Sequence, residues 1–470
     1  MRFWATRRAC LASGREYDRA GVATNFANDF PIAAEEPTFY KLLRDAGWWV
    51  MTAGKDDLTK ATQPGANGTF HQEALGFSDA ERLSGKMDVL TGGPHEPYGI
   101  MLNQSTVAMQ DGAMVNAYDA HRACLTGHGA TASLCDSSSY PPKLYEDNWT
   151  AKKALQLLGR KPFDAPFFLE VSFPGPHPPF TVTTPMRDVV GGRVFPEPVD
   201  NPSGSADVCP SGATEPYTGK QCAYAAEIEN LDRLVGLILD ELANQSARRG
   251  SDILVCFASD HGTMLYDHGD EGKTMPWQPS VSVPLVCAGP GVGRNRTVSV
   301  PVATMDLAGT FLDLAGVPRH AGMSTQSLRP LLEAGDAGAA AYRPFVSSGL
   351  QSTPFHPVGG GSGGSHPSVQ GARRAAGAGG VDAAAQHGAS HYSWRMVVKR
   401  MGDGRQLKYV CCKGRCNGSP STAPGPDNDG FTRILYDTLA DPNDMDPLHD
   451  PAAKAELQAL LPVGFCPAPP

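Results

Sequence analysis

A chain of 470 residues, 41% hydrophobic and with a net charge of −9, can bury the core of one large domain and a smaller one beside it. The acidity is spread rather than blocked, so there is no basic face for nucleic acid or an anionic membrane, and no apolar run is long enough to be a transmembrane span.

In chain order, the opening MRFWATRRACLASGR lacks the apolar stretch of a signal peptide. EEPTFYKLLRDAG (35–47) reads as a helix stopped at Gly47, and WWVMTA (48–53) as a strand leading to Gly54-Lys55-Asp56-Asp57. PFFLEVSF (166–173) is a second strand, leading to Pro174-Gly175-Pro176-His177. YAAEIENLDRLVGLILDELANQ (224–245) places Ile228, Leu231, Val235, Ile238 and Leu242 at helical spacing, which predicts one apolar stripe. DILVCFAS (252–259) and VPLVCAG (283–289) are further strands, the first leading to Ser259-Asp260-His261-Gly262, and TMDLAGTFLDLAGVP (304–318) is a shorter helix.

The four strands are nearly continuous apolar runs, as expected where both faces of a parallel sheet are covered. The alternation predicts an α/β domain over residues 1–340, with a mostly parallel sheet flanked by helices and ligands bound beyond the carboxyl ends of the strands. From about residue 341 to 470 a smaller α+β domain is expected. It begins with a Gly/Ala/Ser-rich stretch at 357–390 read as a disordered insert, and continues with the alternating strands SWRMVVKR (393–400) and RQLKYVC (405–411) and then RILYDTLADPND (433–444).

Of the eleven cysteines, Cys256 and Cys287 read as internal apolar residues, whereas Cys124, Cys135, Cys209, Cys222, Cys411, Cys412 and Cys416 lie in loop-like sequence able to form disulfides. CCKGRC has no second Cys/His pair nearby, which argues against zinc. Asn67, Asn103, Asn148, Asn244, Asn295 and Asn417 each open an N-x-[ST] sequon, where chance would supply roughly one or two. Cysteines and sequons together point to a secreted or luminal protein.

The Asp260-His261 pair at a strand end suits a divalent cation, and Lys55, His177 and Lys273, each at a glycine- or proline-marked bend, would gather positive charge around an anion. Taken singly, each has a plainer structural reading as a capping acid, a turn histidine or a solvated lysine.

SDHGTMLYDHGDEGKTMPWQPSVSVPLVCAGPGV resembles the second half of the sulfatase catalytic domain, where a typical sequence reads S-D-[HN]-G-x-x-x-x-x-H-G-x-x-x-K. RACLASGREYDRAGV, EEPTFYKLLRDAGWWVMTAGK, FFLEVSFPGPHPPF, YAAEIENLDRLVG and ILYDTLADPNDMDPL resemble further sulfatase segments in the expected order, so that the likeness covers most of 5–335 and 392–448. The resemblance implies an alkaline-phosphatase-like α/β fold and a sulfuric ester hydrolase acting on a sulfated small molecule or polysaccharide. It implies Asp260 and His261 as metal ligands, usually to calcium, with magnesium or manganese as alternatives. Lys55 would contact the nucleophile, His177 the sulfate, and Lys273 both sulfate and leaving-group oxygen. Arg8 takes the place of the arginine in C-x-P-S-R, the motif whose cysteine is oxidised to formylglycine. Asp57 stands where the family has a histidine, and both it and His268 are candidate pocket residues.

The chain departs from the pattern at its start. Trp4 stands where the formylglycine cysteine belongs, Cys10 lies in the register of the following helix and reads as a buried helix cysteine, and the strand bearing paired aspartates has no counterpart. These departures lead us to expect a fragment of a longer protein, inactive as written, with two metal ligands too few to hold a cation well. The alternatives are a sulfatase-like pseudoenzyme that binds sulfated glycans and a phosphate or phosphonate ester hydrolase of the same superfamily.

Overall fold

The chain begins its first well-defined strand through a helix that is capped at both ends. The computed structural model describes all residues except 1–3, 17–18, 21–36, 56–57, 59–71, 87–95, 109–112, 127–140, 202–203, 205, 211–218, 251, 351–393, 415, 417–420, 462–464 and 468–470. Asp57, Cys135, Asn67, Asn417 and the insert expected at 357–390 therefore lie outside the described residues.

Helix α1 spans Trp4–Ser13 and α2 Phe39–Asp45. The Thr38 side chain accepts from the Lys41 amide, and Gly47, at φ +93, ends the turn that follows α2. Strand β1 (Trp49–Lys55) then pairs in parallel with both β2 (Asp79–Leu83) and β3 (Phe167–Ser172), giving the sheet order β2-β1-β3. Gly54 has φ +98, and a Cβ there would meet the Ser172 carbonyl oxygen at 2.1 Å, so only glycine lets β1 and β3 close up immediately before Lys55.

Strand β2 was not among the strands expected, because DAERL is polar. Its charges are matched by the covering helix α3 (Glu146–Arg160): Arg160 bonds Asp79 at 2.7 Å and Glu81 at 2.8 Å, and Lys153 approaches Glu81 to 3.0 Å.

The third and fourth expected strands depart from the sequence reading. Strands β4 (Val255–Ala258) and β5 (Leu285–Ala288) pair antiparallel with one another, and among the described residues they form a two-stranded sheet separate from β2-β1-β3. Cys256 and Cys287, read as internal apolar residues, sit directly opposite in that register and are joined by a disulfide. The continuous apolar runs suggested burial on both faces, yet Phe257 is 47% and Val286 63% exposed. Helix α4 (Lys220–Arg249) is longer than expected and stops at Gly250 in the left-handed region. Of its expected stripe, Leu231 and Ile238 are buried, Val235 and Leu242 are half-buried and Ile228 alone is 43% exposed, and the buried face widens to include Ala223, Glu227, Asn230 and Leu234. Glu227 is buried because it meets a lysine described below, a partner that no apolar count could reveal. Helix α5 (Asp306–Leu314) packs in the same core as α1 and α2.

Strands β6 (Phe345–Leu350), β7 (Trp394–Arg400), β8 (Gln406–Lys413) and β9 (Phe431–Asp437) form an antiparallel sheet in that order. Side chains alternate across it. Trp394, Met396, Val410, Ile434 and Tyr436 cover Met264, Met275 and Trp277 of the larger part, and Val397, Leu407, Tyr409 and Leu435 cover the helix Pro451–Gln458. Cys209–Cys222, Cys411–Cys466 and Cys412–Cys416 are disulfides, and Cys10 is half-buried in α1.

Candidate functional site

The carboxyl ends of β1, β3 and β4 converge beneath α1. Lys55 closes β1 and is 6% exposed; β3 ends at Ser172 and runs into the His177 turn, where the Gly175–Pro176 and Pro178–Pro179 bonds are cis; β4 runs into Asp260 and His261. Arg8 of α1 ties the three together. Its Nε donates to Asp260 Oδ2 at 3.1 Å, and its terminal nitrogen donates to the Lys55 carbonyl at 2.5 Å and to the Ser172 hydroxyl. One guanidinium thus reads all three strand ends, as its rigid fork allows.

Asp260 Oδ1 accepts from the His261 amide at 2.9 Å. Burial would push this carboxyl up, but His261, Arg8, Lys273 and Lys55 around it hold it well below the usual range. Lys273 Nζ lies 2.7 Å from His261 Nε2, and His261 Nδ1 lies 2.9 Å from the Gly262 carbonyl. An ammonium can only donate, so Nε2 is the lone-pair nitrogen and Nδ1 carries the proton toward Gly262. This fits a neutral imidazole, which burial, aided by Lys273 and Arg7 against Asp260, pushes down to about 3. A Cβ on Gly262 would meet the Pro279 carbonyl oxygen at 1.9 Å, so the turn after His261 also requires glycine. His177 is held neutral by burial and by Lys55 and Lys273, with Nδ1 on its neighbour's Pro178 carbonyl.

A second polar layer lies behind His177. The Gly175 amide donates to Asp147 Oδ1 at 3.0 Å, and Asp147 sits with Glu146, Glu227 and Lys86 in a buried cluster. Lys86 Nζ is 2.7 Å from Glu227 and 3.7 Å from Glu146. Three buried carboxyls facing one ammonium cannot all ionise, and burial pushes Glu227 up to about 8 and Asp147 to about 7.

The structure thus gathers Arg8, Lys55, His177, Asp260, His261 and Lys273 in one place. It turns His268 elsewhere: Nδ1 is 3.7 Å from Asp200, its amide donates to Val199, and its ring meets Trp277 edge-on. Arg7, Ser172, Asp147 and Lys86 were not singled out from sequence. Lys86 could have been suspected from SGK directly after a strand, had β2 looked like one.

The donors for a divalent cation are Asp260 and His261, and among the described residues no three acidic, histidine or cysteine groups are arranged to hold a metal ion. Arg8 and the His261 amide already take the Asp260 oxygens, and Lys273 takes the His261 lone pair. Two donors clasped by cations do not by themselves fit such an ion, which seeks six or more oxygens. The same groups suit an anion.

A family model described as sulfatase matches residues 5–317. The chain is 28% identical over 209 residues to an arylsulfatase of Clostridium perfringens (strain 13 / Type A), covering 41% of this chain and 43% of that one. It is 26% identical over 343 residues to a choline-sulfatase of Rhizobium meliloti (strain 1021), covering 69% and 60%. With arylsulfatase K of Danio rerio it shares 37% over 109 residues, covering 23% and 20%. The chain therefore spans less than two thirds of the length of each of these relatives. A structure described as in complex with its substrate D-glucosamine-2-N,6-O-disulfate superposes with a TM-score of 0.62 at 17% identity, over 97% of this chain and 87% of the other. A phosphonate monoester hydrolase from Silicibacter pomeroyi gives 0.62 at 17% over 97% and 83%. The fold is the alkaline-phosphatase-like one.

Proposed function

The chain belongs to the sulfatase family, and on that premise we propose that it is the sulfate-recognising part of a sulfuric ester hydrolase acting on a sulfated carbohydrate. The observation that carries the proposal is the convergence of Arg7, Arg8, Lys55 and Lys273 on a site whose carboxylate, Asp260, is already engaged by Arg8. Such a surplus of fixed positive charge holds a tetrahedral anion and favours the extra charge that builds on its oxygens as the ester bond breaks.

Within that reading each side chain has a task. Lys273, on a half-buried segment beside His261, meets the sulfate and the departing ester oxygen. His177 has its Nδ1–H on the Pro178 carbonyl, so Nε2 can donate to a sulfate oxygen only once the arriving anion brings a second proton onto the ring. Arg8 keeps Asp260 and the ends of β1 and β3 in register. Formylglycine would supply the attacking oxygen when present; this sequence encodes no C-x-P-S-R. Calcium, in the full site, would take Asp260 and His261 as two of its ligands.

A secreted or luminal setting accords with the four disulfides among the described residues, where no helix is long and apolar enough to cross a membrane. Asn103, Asn244 and Asn295 are exposed sequon positions, whereas Asn148 has its amide nitrogen on the Pro142 carbonyl at 2.8 Å and is the poorest glycan acceptor of the four described.

Calorimetry with inorganic sulfate and phosphate tests the proposal. Sulfate should bind the wild type and bind K273A and H177A at least about tenfold more weakly, the loss of a charge-assisted hydrogen bond. A site that prefers phosphate would favour the phosphoester reading, and sulfate affinity indifferent to both substitutions would refute the assignment.

A further inference from the structure

Lys273 stands on backbone that the smaller C-terminal sheet holds in place, and the inference drawn from this rests on the anion-binding role proposed for that lysine. Thr274, the next residue, has φ +93, a conformation that a β-branched residue adopts only when its surroundings impose it. Its carbonyl accepts from the Trp394 indole nitrogen at 2.6 Å. Trp394 opens β7, is 3% exposed, and packs among Met264, Met275 and Trp277, so its ring cannot follow the loop if the loop moves. The peptide before Lys273 is held as well, the Gly272 carbonyl accepting from the Met264 amide at 2.7 Å. Two residues further on, Lys408 of β8 donates to the Pro276 carbonyl at 3.2 Å.

We propose that Trp394 is a positioning residue for Lys273: its indole N–H fixes the strained peptide after the lysine and thereby sets the ammonium beside His261. The C-terminal sheet is then part of the anion site's machinery, although none of its side chains meets the anion.

The test compares wild type, W394F, K273A and the double variant in the full chain. W394F keeps an aromatic ring and removes the N–H. The acetylation rate of Lys273 by acetic anhydride, read on its own peptide by mass spectrometry, should rise about fivefold, the worth of one neutral hydrogen bond. Sulfate affinity measured by calorimetry should fall by a similar factor in W394F, while the same substitution should change nothing further in the K273A background. Should W394F fold poorly, Thr274→Gly, which leaves the core and the indole bond untouched and carries no strain at positive φ, should shift both readouts the opposite way, with slower labelling and tighter sulfate binding, and faster labelling of Lys273 in it would overturn the inference. Unchanged labelling of Lys273, or an equal affinity loss with and without Lys273, would overturn the inference. If K273A binds sulfate as the wild type does, the proposed anion role of Lys273 fails, and the labelling rate alone decides whether Trp394 positions it.

Discussion

Neutralising one end of the Lys408–Asp444 pair should cost more stability than neutralising both. The two side chains are wholly buried and bonded to each other, and Asp444 Oδ2 also accepts from the Gln278 amide at 2.8 Å. Asp444 sits at φ +56, so Asn, which tolerates that backbone, is the substitution that isolates charge. In D444N the ammonium loses its counter-charge and keeps neutral partners, the asparagine carbonyl, the Pro276 carbonyl at 3.2 Å and the Trp277 and Tyr436 rings at 5.8 and 5.6 Å. A buried charge stripped of its partner loses about 3–5 kcal/mol; two ring faces would return roughly 1 kcal/mol, so a loss of about 3 kcal/mol is expected. In K408M the carboxyl keeps the Gln278 amide and can take up a proton, as burial already pushes its affinity for one upward, so a somewhat smaller loss follows. The double variant K408M/D444N buries no charge and should be more stable than D444N. Urea unfolding monitored by tryptophan fluorescence measures all four proteins. Single losses under about 1 kcal/mol, or a double variant whose loss equals the sum of the singles, would refute the reasoning.

Two further outcomes follow from the site. Glu227 is pushed up from 4.5 to about 8, so folding favours its protonated form; relative to E227Q, the wild type should lose stability as pH rises from about 4.5 through 8, and parallel stability curves for the two proteins would contradict this. Millimolar calcium should move the thermal midpoint of this chain by less than about 1 °C, since two clasped donors bind it weakly; a shift of several degrees would show that residues outside the described set complete a cation site.

Much of the fold was legible in the sequence where an element's chemistry is local. Capped α2, apolar β1 and β3, and the alternating β7 and β8 were all readable, because burial on a sheet or helix leaves a period in the residues themselves. Polar β2 and the polar residues buried on α4 were not, since Glu81, Glu227 and Lys86 are buried only by virtue of partners far away in the chain. The antiparallel β4–β5 pair escaped for a related reason: an apolar run states that a strand is covered, not which neighbour covers it or in which direction. Lys55, His177, Asp260, His261 and Lys273 were marked by strand ends and bends and Arg8 by the family resemblance, and the structure brings the first five together around Arg8. Trp394 and Asp147 left no such mark, because they act on peptide groups and not through chemistry that their own sequence surroundings display.

The register of the C-terminal sheet sets Leu350 of β6 directly opposite Trp394 of β7, so residues 351–393 leave and rejoin the sheet at a single point. Closing a connection between two paired strand ends costs little more as it lengthens, each doubling adding only about 0.6 kcal/mol of closure entropy. The same junction is therefore a natural port for inserting a fluorescent or affinity tag into this chain. The one constraint is that the inserted sequence must end before Trp394, because the strand that receives the tag is also the one that steadies Lys273.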